Sequence, residues 1–298
     1  YNPLTTVSNF ASLIGTYDTG FQVLIEPYDA RTPHLRDPIL RLVCQDASLA
    51  MQPVLKKFRN VVITSGTLSP IDFYPKILKF EPKIAKSFDM TLSRACICPM
   101  IITKGNDQIP ITSKYEARSD PSVIKNYGEL LQQMSSVIPD GIVCFFTSYA
   151  YMEEIVCEWS KLNILQQIME NKLIFIETKD IVETSLALDS FKKACDCGRG
   201  AIFLSVARGK VAEGIDFDRH YGRCVILFGI PFQYSRSRVL GLRLEFMKKE
   251  HNISEHEFLA FDALRQAAQC VGRVIRSKLD YGLMIFADNR YSRSDKRK

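Results

Sequence analysis

The sequence predicts an α/β domain, a parallel β-sheet covered by helices on both faces, and two observations predict it. From about residue 120 onward, short apolar runs alternate with stretches of helical periodicity. Those short runs are apolar at every position, the pattern of strands buried on both sides.

Taken in order, Val123, Tyr127, Leu130, Leu131, Met134 and Val137 recur at three- and four-residue steps and predict a helix, which Pro139-Asp140-Gly141 stops. Ile142 to Phe146 is then a buried strand. Met152, Ile155, Val156 and Trp159 share one face of the next helix. Leu173 to Ile176, Ala201 to Val206, Val225 to Phe228 and Leu283 to Phe286 are further strands, with helices at Leu186 to Ala194, about 235–250 and 257–276. Upstream, Phe21 to Ile25, Ile39 to Val43 and Val61 to Thr64 are expected as strands, and Ala47 to Phe58 as a helix despite Pro53. That stretch holds too few elements for a complete domain. Residues 75–120 are rich in Pro and Lys and show no clear period.

The chain has 298 residues, 46% hydrophobic and 24% charged, the make-up of an ordinary globular protein. No apolar run approaches the roughly 20 residues of a membrane-spanning helix. Tyr1 to Phe10 has neither the basic start nor the apolar stretch of a signal peptide. Tyr1 is not an initiating Met, as in a fragment or a processed chain. The nine cysteines are scattered, several within apolar runs, and are expected as reduced, buried thiols of an intracellular protein. Cys96/Cys98 and Cys195/Cys197 lack a second pair at zinc-finger or iron–sulfur spacing, so no metal ligand is expected on this chain. The net charge of +6 suits a polyanionic partner. Much of it sits in a tail from Arg290 to Lys298, either solvated or touching phosphates.

Three segments could carry chemistry. Gln269-Cys270-Val271-Gly272-Arg273-Val274-Ile275-Arg276 ends a helical stretch, and Arg273 and Arg276, three apart, would project from one helix face. Gly272 lets a ligand or a backbone approach. Two guanidiniums held together suit the charge that develops on a transferring phosphoryl group. Surface ion pairs are the plainer use of such arginines, and two side chains locked into carboxylates of their own domain would argue against the phosphoryl role. The second segment, Ser205 to Phe217, leaves a strand with Arg208, Gly209, Lys210, Gly214 and Asp216. Its N–H groups and bases can hold a phosphate, and Asp216 can accept from a ribose hydroxyl or orient an arginine. Alternatively, it is a polar turn in which Gly209 and Gly214 supply unusual backbone angles. The third, Thr147-Ser148-Tyr149 at a strand end, can grip a nucleic-acid phosphate or cap a helix, or do both. The histidines lack metal spacing, and there is no G-x-x-x-x-G-K-[ST] loop or D-E-x-[HD] box. A site with arginines but no phosphate cradle is half a site.

Together, Thr64 to Pro70, Phe145 to Tyr149, Ser205 to Phe217 and Gln269 to Arg276 resemble motifs III, IV, V and VI of superfamily 2 helicases. With Asp140 to Val143 and Asp280 to Met284, they resemble the C-terminal part of the xeroderma pigmentosum group D helicase family. Val274 stands where that family usually has Ala, a small departure. The resemblance implies a RecA-like second motor domain over 75–288, a C-terminal strip of the first motor domain over 1–74, and a basic tail over 289–298. It implies a 5′-to-3′ DNA helicase subunit of general transcription factor IIH, nuclear, acting in nucleotide excision repair and transcription initiation on single-stranded or forked DNA. ATP and Mg2+ would lie at an interdomain cleft, with the phosphate loop, the magnesium box and the cysteines of a 4Fe-4S cluster all before residue 1, so that this chain alone would be inactive. In that frame Arg273, Arg276 and Gln269 are catalytic. Gly214, Asp216 and Gly272 bind the nucleotide, and Thr147, Ser148, Tyr149, Arg208 and Lys210 bind DNA. A structural bridge with a dispensable ATPase, or a related iron–sulfur helicase with another nucleic-acid substrate, are the alternatives.

Overall fold

The computed structural model describes residues 2–28, 37–88, 96–234, 237–275, 277 and 279–293. In chain order the elements are α1 (Pro3–Thr16), β1 (Phe21–Glu26), β2 (Ile39–Cys44), α2 (Ser48–Lys57), α3 (Phe73–Leu78), β3 (Ile97–Ile102), α4 (Pro121–Val137), β4 (Gly141–Phe146), α5 (Tyr149–Lys161), α6 (Ile164–Asn171), β5 (Leu173–Ile176), α7 (Ile181–Asp196), β6 (Ala201–Val206), α8 (Lys210–Gly214), β7 (Cys224–Phe228), α9 (Arg238–His251), α10 (Glu255–Val271) and β8 (Gly282–Ala287). They fall into two compact units, one of residues 1–87 and 233–261, the other of 88–232 and 262–298. The sequence expectation placed a boundary near residue 74 and kept 233–261 with the second domain; by contacts, 233–261 groups with the N-terminal residues.

The larger unit is a six-stranded parallel sheet in the order β3-β8-β7-β4-β6-β5. Strand alternation sends Ile142, Cys144 and Phe146 of β4 to one face and Val143 and Phe145 to the other. On the first face α4, α5 and α6 supply Tyr127, Leu131, Ile155, Trp159 and Ile168. Trp159 is fully buried and its Nε1 donates to the Ile124 carbonyl at 2.8 Å, so a large ring is covered with its polar atom satisfied. On the second face α7, α8 and α10 supply Phe191, Val211, Ala267 and Cys270. Each fully covered side chain of this size stabilises the fold by roughly 1.5–3 kcal/mol.

The edge strand β3 lies in the Pro- and Lys-rich stretch that showed no period. Pro99 sits inside it, opposite Met284. An edge strand tolerates the missing N–H, because one side of its ladder faces no neighbour.

In the smaller unit β1 and β2 pair antiparallel from Phe21↔Cys44 to Glu26↔Ile39. A separate cluster gathers Phe73, Leu240, Leu244, Met247, Ile253 and Phe258, and Lys79 Nζ meets Asp46 Oδ2 at 2.6 Å. α2 forms with Pro53 inside it, as expected. Val61 to Thr64, expected as a strand, is irregular, and Val62 is 87% exposed. A strand is made by its neighbour's hydrogen bonds, and among the described residues no strand pairs with it. α1, which no apolar period announced, is capped by Asn2, whose side chain accepts from the Leu4 N–H at 3.1 Å, and buries none of its residues.

Candidate functional site

The parallel sheet brings two of the three segments to its carboxyl edge, the place where open α/β sheets work. The Arg273 turn instead lies toward the amino ends of β7 and β8: Val274 sits against Gly282, the first residue of β8, and Phe217, hydrogen-bonded to Arg273, sits against Gly222 just before β7. Thr147 to Tyr149 follow β4, Arg208 to Lys210 follow β6, and α10 ends with Gln269 nearby in sequence to the Gly272-Arg273 turn.

Ser148 caps α5, its Oγ accepting from the Tyr151 N–H at 3.3 Å. Tyr149 opens that helix and aims its hydroxyl inward, donating to Glu177 Oε1 at 2.8 Å. Burial first, and the Glu177 carboxylate second, push this phenol well above its ordinary range, so it stays a donor. Thr147 is half-buried, beside Gly229. Glu177, which drew no attention in the sequence, is 1% exposed and also accepts from Ser205 Oγ at 2.6 Å and the Val206 N–H at 3.1 Å. A lone acid after the short strand β5 carries no motif; only the sheet order, with β6 between β4 and β5, reveals it.

The segment after β6 departs from expectation in two ways. It is not an open loop, because Lys210–Gly214 forms α8, with Gly209 as its N-cap. Neither Gly209 nor Gly214 has a positive φ. A Cβ on Gly209 would come within 2.6 Å of Glu177 Oε1, so the backbone is there free to pass over the carboxylate, whereas around Gly214 the space is open. The two expected phosphate-binding bases also differ. Lys210 is exposed, with Nζ on the Lys179 carbonyl at 3.0 Å. Arg208 turns into the domain: Nη2 lies 2.8 Å from the Pro231 carbonyl and 2.6 Å from Asp262 Oδ2. Arg265 shares that acid at 3.0 Å. The reason is electrostatic: Asp262 has a side chain only 8% exposed and needs cationic donors.

α10 stops at Val271, so Arg273 lies in a turn instead of on a helix face. The Gly272 N–H still bonds the Ala268 carbonyl at 2.9 Å, and that carbonyl is what its missing Cβ would approach. Gln269 is half-buried in the last turn. Arg273 Nη1 lies 3.2 Å from Asp216 Oδ1, and the Phe217 N–H donates to the Arg273 carbonyl at 3.1 Å. Arg273 thus meets in part the condition that would argue against a phosphoryl role, while Arg276 lies outside the described residues. Asp216, though, has a side chain 48% exposed. A solvent-screened ion pair of that kind contributes roughly 0–1 kcal/mol.

The start of the expected basic tail is not solvated. Arg290 has a side chain 12% exposed and meets Asp288 Oδ2 at 2.7 Å, and Asp288 is fully buried. Ser113 donates to Asp288 through both N–H and Oγ, at 2.8 and 2.9 Å. Burial alone would raise the Asp288 carboxyl; the Arg290 guanidinium and the Ser113 N–H hold it below its usual range. Lys296, Arg297 and Lys298 lie outside the described residues.

The cysteines are free; Cys96, Cys144, Cys195, Cys224 and Cys270 are buried, while Cys44, Cys98, Cys157 and Cys197 are exposed. Burial pushes the Cys195, Cys224 and Cys270 thiols up to about 12. Among the described residues no three His, Cys, Asp or Glu side chains converge as a metal site, and no helix is long and apolar enough to cross a membrane.

A parallel sheet with helices on both faces thus carries two strand-end loops at its carboxyl edge and an arginine turn ahead of β8. The chain belongs to the helicase C-terminal domain family, whose model matches residues 131–298. It is 62% identical over 99% of its length to the general transcription and DNA repair factor IIH helicase subunit XPD of Arabidopsis thaliana, and 56% identical over its whole length to that of Dictyostelium discoideum. It spans only 39% and 38% of those relatives. A solved XPD helicase superposes with a TM-score of 0.68 at 19% identity, covering 98% of this chain and 48% of that one, a likeness of fold.

Proposed function

We propose that this chain is the second motor portion of an ATP-dependent 5′-to-3′ DNA helicase, the XPD-type subunit of transcription factor IIH, working in the nucleus in excision repair and transcription initiation. The observation that carries this reading is the tie between Arg273 and the Asp216-Phe217 segment, at 3.2 and 3.1 Å, which links the arginine turn after α10 to the segment that leaves β6. The similarity to XPD subunits over 99% of the chain supports it.

In this reading Arg273, with Arg276, reaches terminal phosphates held by a phosphate loop that this sequence does not contain. ATP supplies the free energy, Mg2+ neutralises its charge, and both need residues from elsewhere in the polypeptide, as does a 4Fe-4S cluster. Gln269 and Gly272 shape the arginine turn, and Gly214 keeps the neighbouring surface open. Tyr149, Ser148, Thr147 and Lys210 face single-stranded or forked DNA, while Arg208 holds the segment in place from within. Other subunits of the same complex are the proposed partners.

The test is strand displacement on a forked duplex by the full-length polypeptide with and without ATP. ATP-dependent unwinding from the 5′ side supports the reading; wild-type protein that bridges its complex with no unwinding overturns it. Salt-dependent binding to DNA and RNA of matched sequence identifies the substrate.

A further inference from the structure

Glu177 sits under three neighbouring strand ends. Its Oε1 accepts from the Tyr149 hydroxyl, beyond β4. Its Oε2 accepts from Ser205 Oγ and the Val206 N–H, at the end of β6. The Gly209 backbone passes so close that a Cβ there would touch both carboxylate oxygens, at 2.6 and 2.8 Å. Its own strand, β5, pairs with β6, and β6 pairs with β4. Among the described residues no cation lies within ion-pair distance of it, so three neutral donors hold the acid. Such a buried acceptor is costly to leave unmade, and each donor is correspondingly fixed.

On the surface above this acid lie the groups that could meet a phosphodiester. Lys210 is exposed, and Lys179, two residues after Glu177, is exposed with its Nζ 6.0 Å from the Tyr149 ring centroid. The Lys210 Nζ bond to the Lys179 carbonyl, at 3.0 Å, closes the circuit.

We propose that Glu177 is a positioning residue for nucleic-acid binding: it latches the Tyr149 ring and the Gly209-Lys210 turn into one grip on the backbone of a single strand. The proposal rests on the reading above that this edge takes such a strand. Tyr149, pulled inward at its hydroxyl, presents its ring beside Lys179 and not a mobile phenol. The β6 turn, pressed onto the same carboxylate, cannot move independently of it. Strand contact at either loop is thereby felt at the other.

The experiment measures the affinity of the full-length polypeptide for a fluorescent oligothymidylate at fixed salt, for wild type, Glu177→Gln, Tyr149→Phe and the double variant, with unfolding midpoints recorded. Gln keeps the shape and one oxygen for Ser205 and Val206, but presents an amide to the phenol. Phe keeps the ring and removes only the bond to Glu177. Each single change is expected to weaken binding on the order of fivefold, the scale of one hydrogen bond. The double variant is expected to be no weaker than the worse single, because both break one link. Unchanged affinity in Tyr149→Phe overturns the proposal even where Glu177→Gln folds poorly. Fully additive losses, or a lowered midpoint with unchanged affinity, overturn it too and leave the acid a purely structural one. Wild-type protein that does not bind the probe overturns the functional reading itself.

Discussion

Arg273 and Asp216 stand 57 residues apart in the chain and 3.2 Å apart in space. The pair joins the turn after α10 to the segment after α8, and the adjoining bond from the Phe217 N–H to the Arg273 carbonyl fixes the main chain beside it. The carboxylate is half-exposed, and in the reading proposed above it orients the guanidinium before a phosphate arrives.

Arg273→Ala in the full-length polypeptide is therefore expected to lower strand-stimulated ATP hydrolysis by on the order of a thousandfold, the scale of an arginine finger. Arg273→Lys should recover little, since an ammonium lacks the planar fork. Asp216→Asn should cost less than about tenfold, because a screened partner contributes so little. Steady-state ATPase rates check all three, and near-normal turnover in Arg273→Ala defeats the assignment.

Arg208 and Lys210 should part company. Arg208→Ala strands the Pro231 carbonyl and weakens the hold on Asp262, and is expected to cost about 1–3 kcal/mol in denaturant unfolding. Lys210→Ala should leave stability within roughly 0.5 kcal/mol. Its mark should be in binding, where the slope of log affinity against log salt for a single strand drops by about 0.7.

Two glycines give a contrast that needs no ligand. Gly209→Ala pushes a methyl against the Glu177 carboxylate and should destabilise by about 1–3 kcal/mol. Gly214→Ala meets open space at an ordinary backbone angle and should be neutral or slightly stabilising, within about 1 kcal/mol. Chemical denaturation of the two variants side by side decides it.

Asp288 supplies a pH signature. Its folded-state carboxyl lies below the ordinary value of 3.8. The stability it contributes is thus fully present above that value and fades as pH falls through the folded one. Asp288→Asn should be distinctly less stable than wild type at pH 6, by about 3 kcal/mol or more given the orphaned Arg290. The gap should narrow below pH 4. Unfolding midpoints across that range test it; a gap that widens in acid contradicts the pairing.

The parts of this fold written as periodicity could be read directly. β4, β6, β7 and β8 are runs of residues buried on both faces, and α4 and α5 carry their apolar positions at helical spacing, so each announces itself without knowing its neighbours. Elements that exist through a neighbour could not be read so. β3 is a strand because β8 lies beside it, despite Pro99, and Val61 to Thr64 is none because nothing described pairs with it. The site divides the same way. Arg273, Tyr149 and Lys210 stand out by residue type and spacing, whereas Glu177 is one acid among many.

By itself, then, the order of residues determined strands β4 to β8, helices α4, α5, α7 and α10 and the motif segments that follow β4, β6 and α10, because hydrophobic period and turn chemistry are local properties. Only the tertiary structure decided what each charge does there. Arg208 and Arg290 were bases facing outward by composition, and burial beside Asp262 and Asp288 turned both inward. A buried acid draws its counter-charge from whatever the fold brings near, and no local pattern encodes which base that will be.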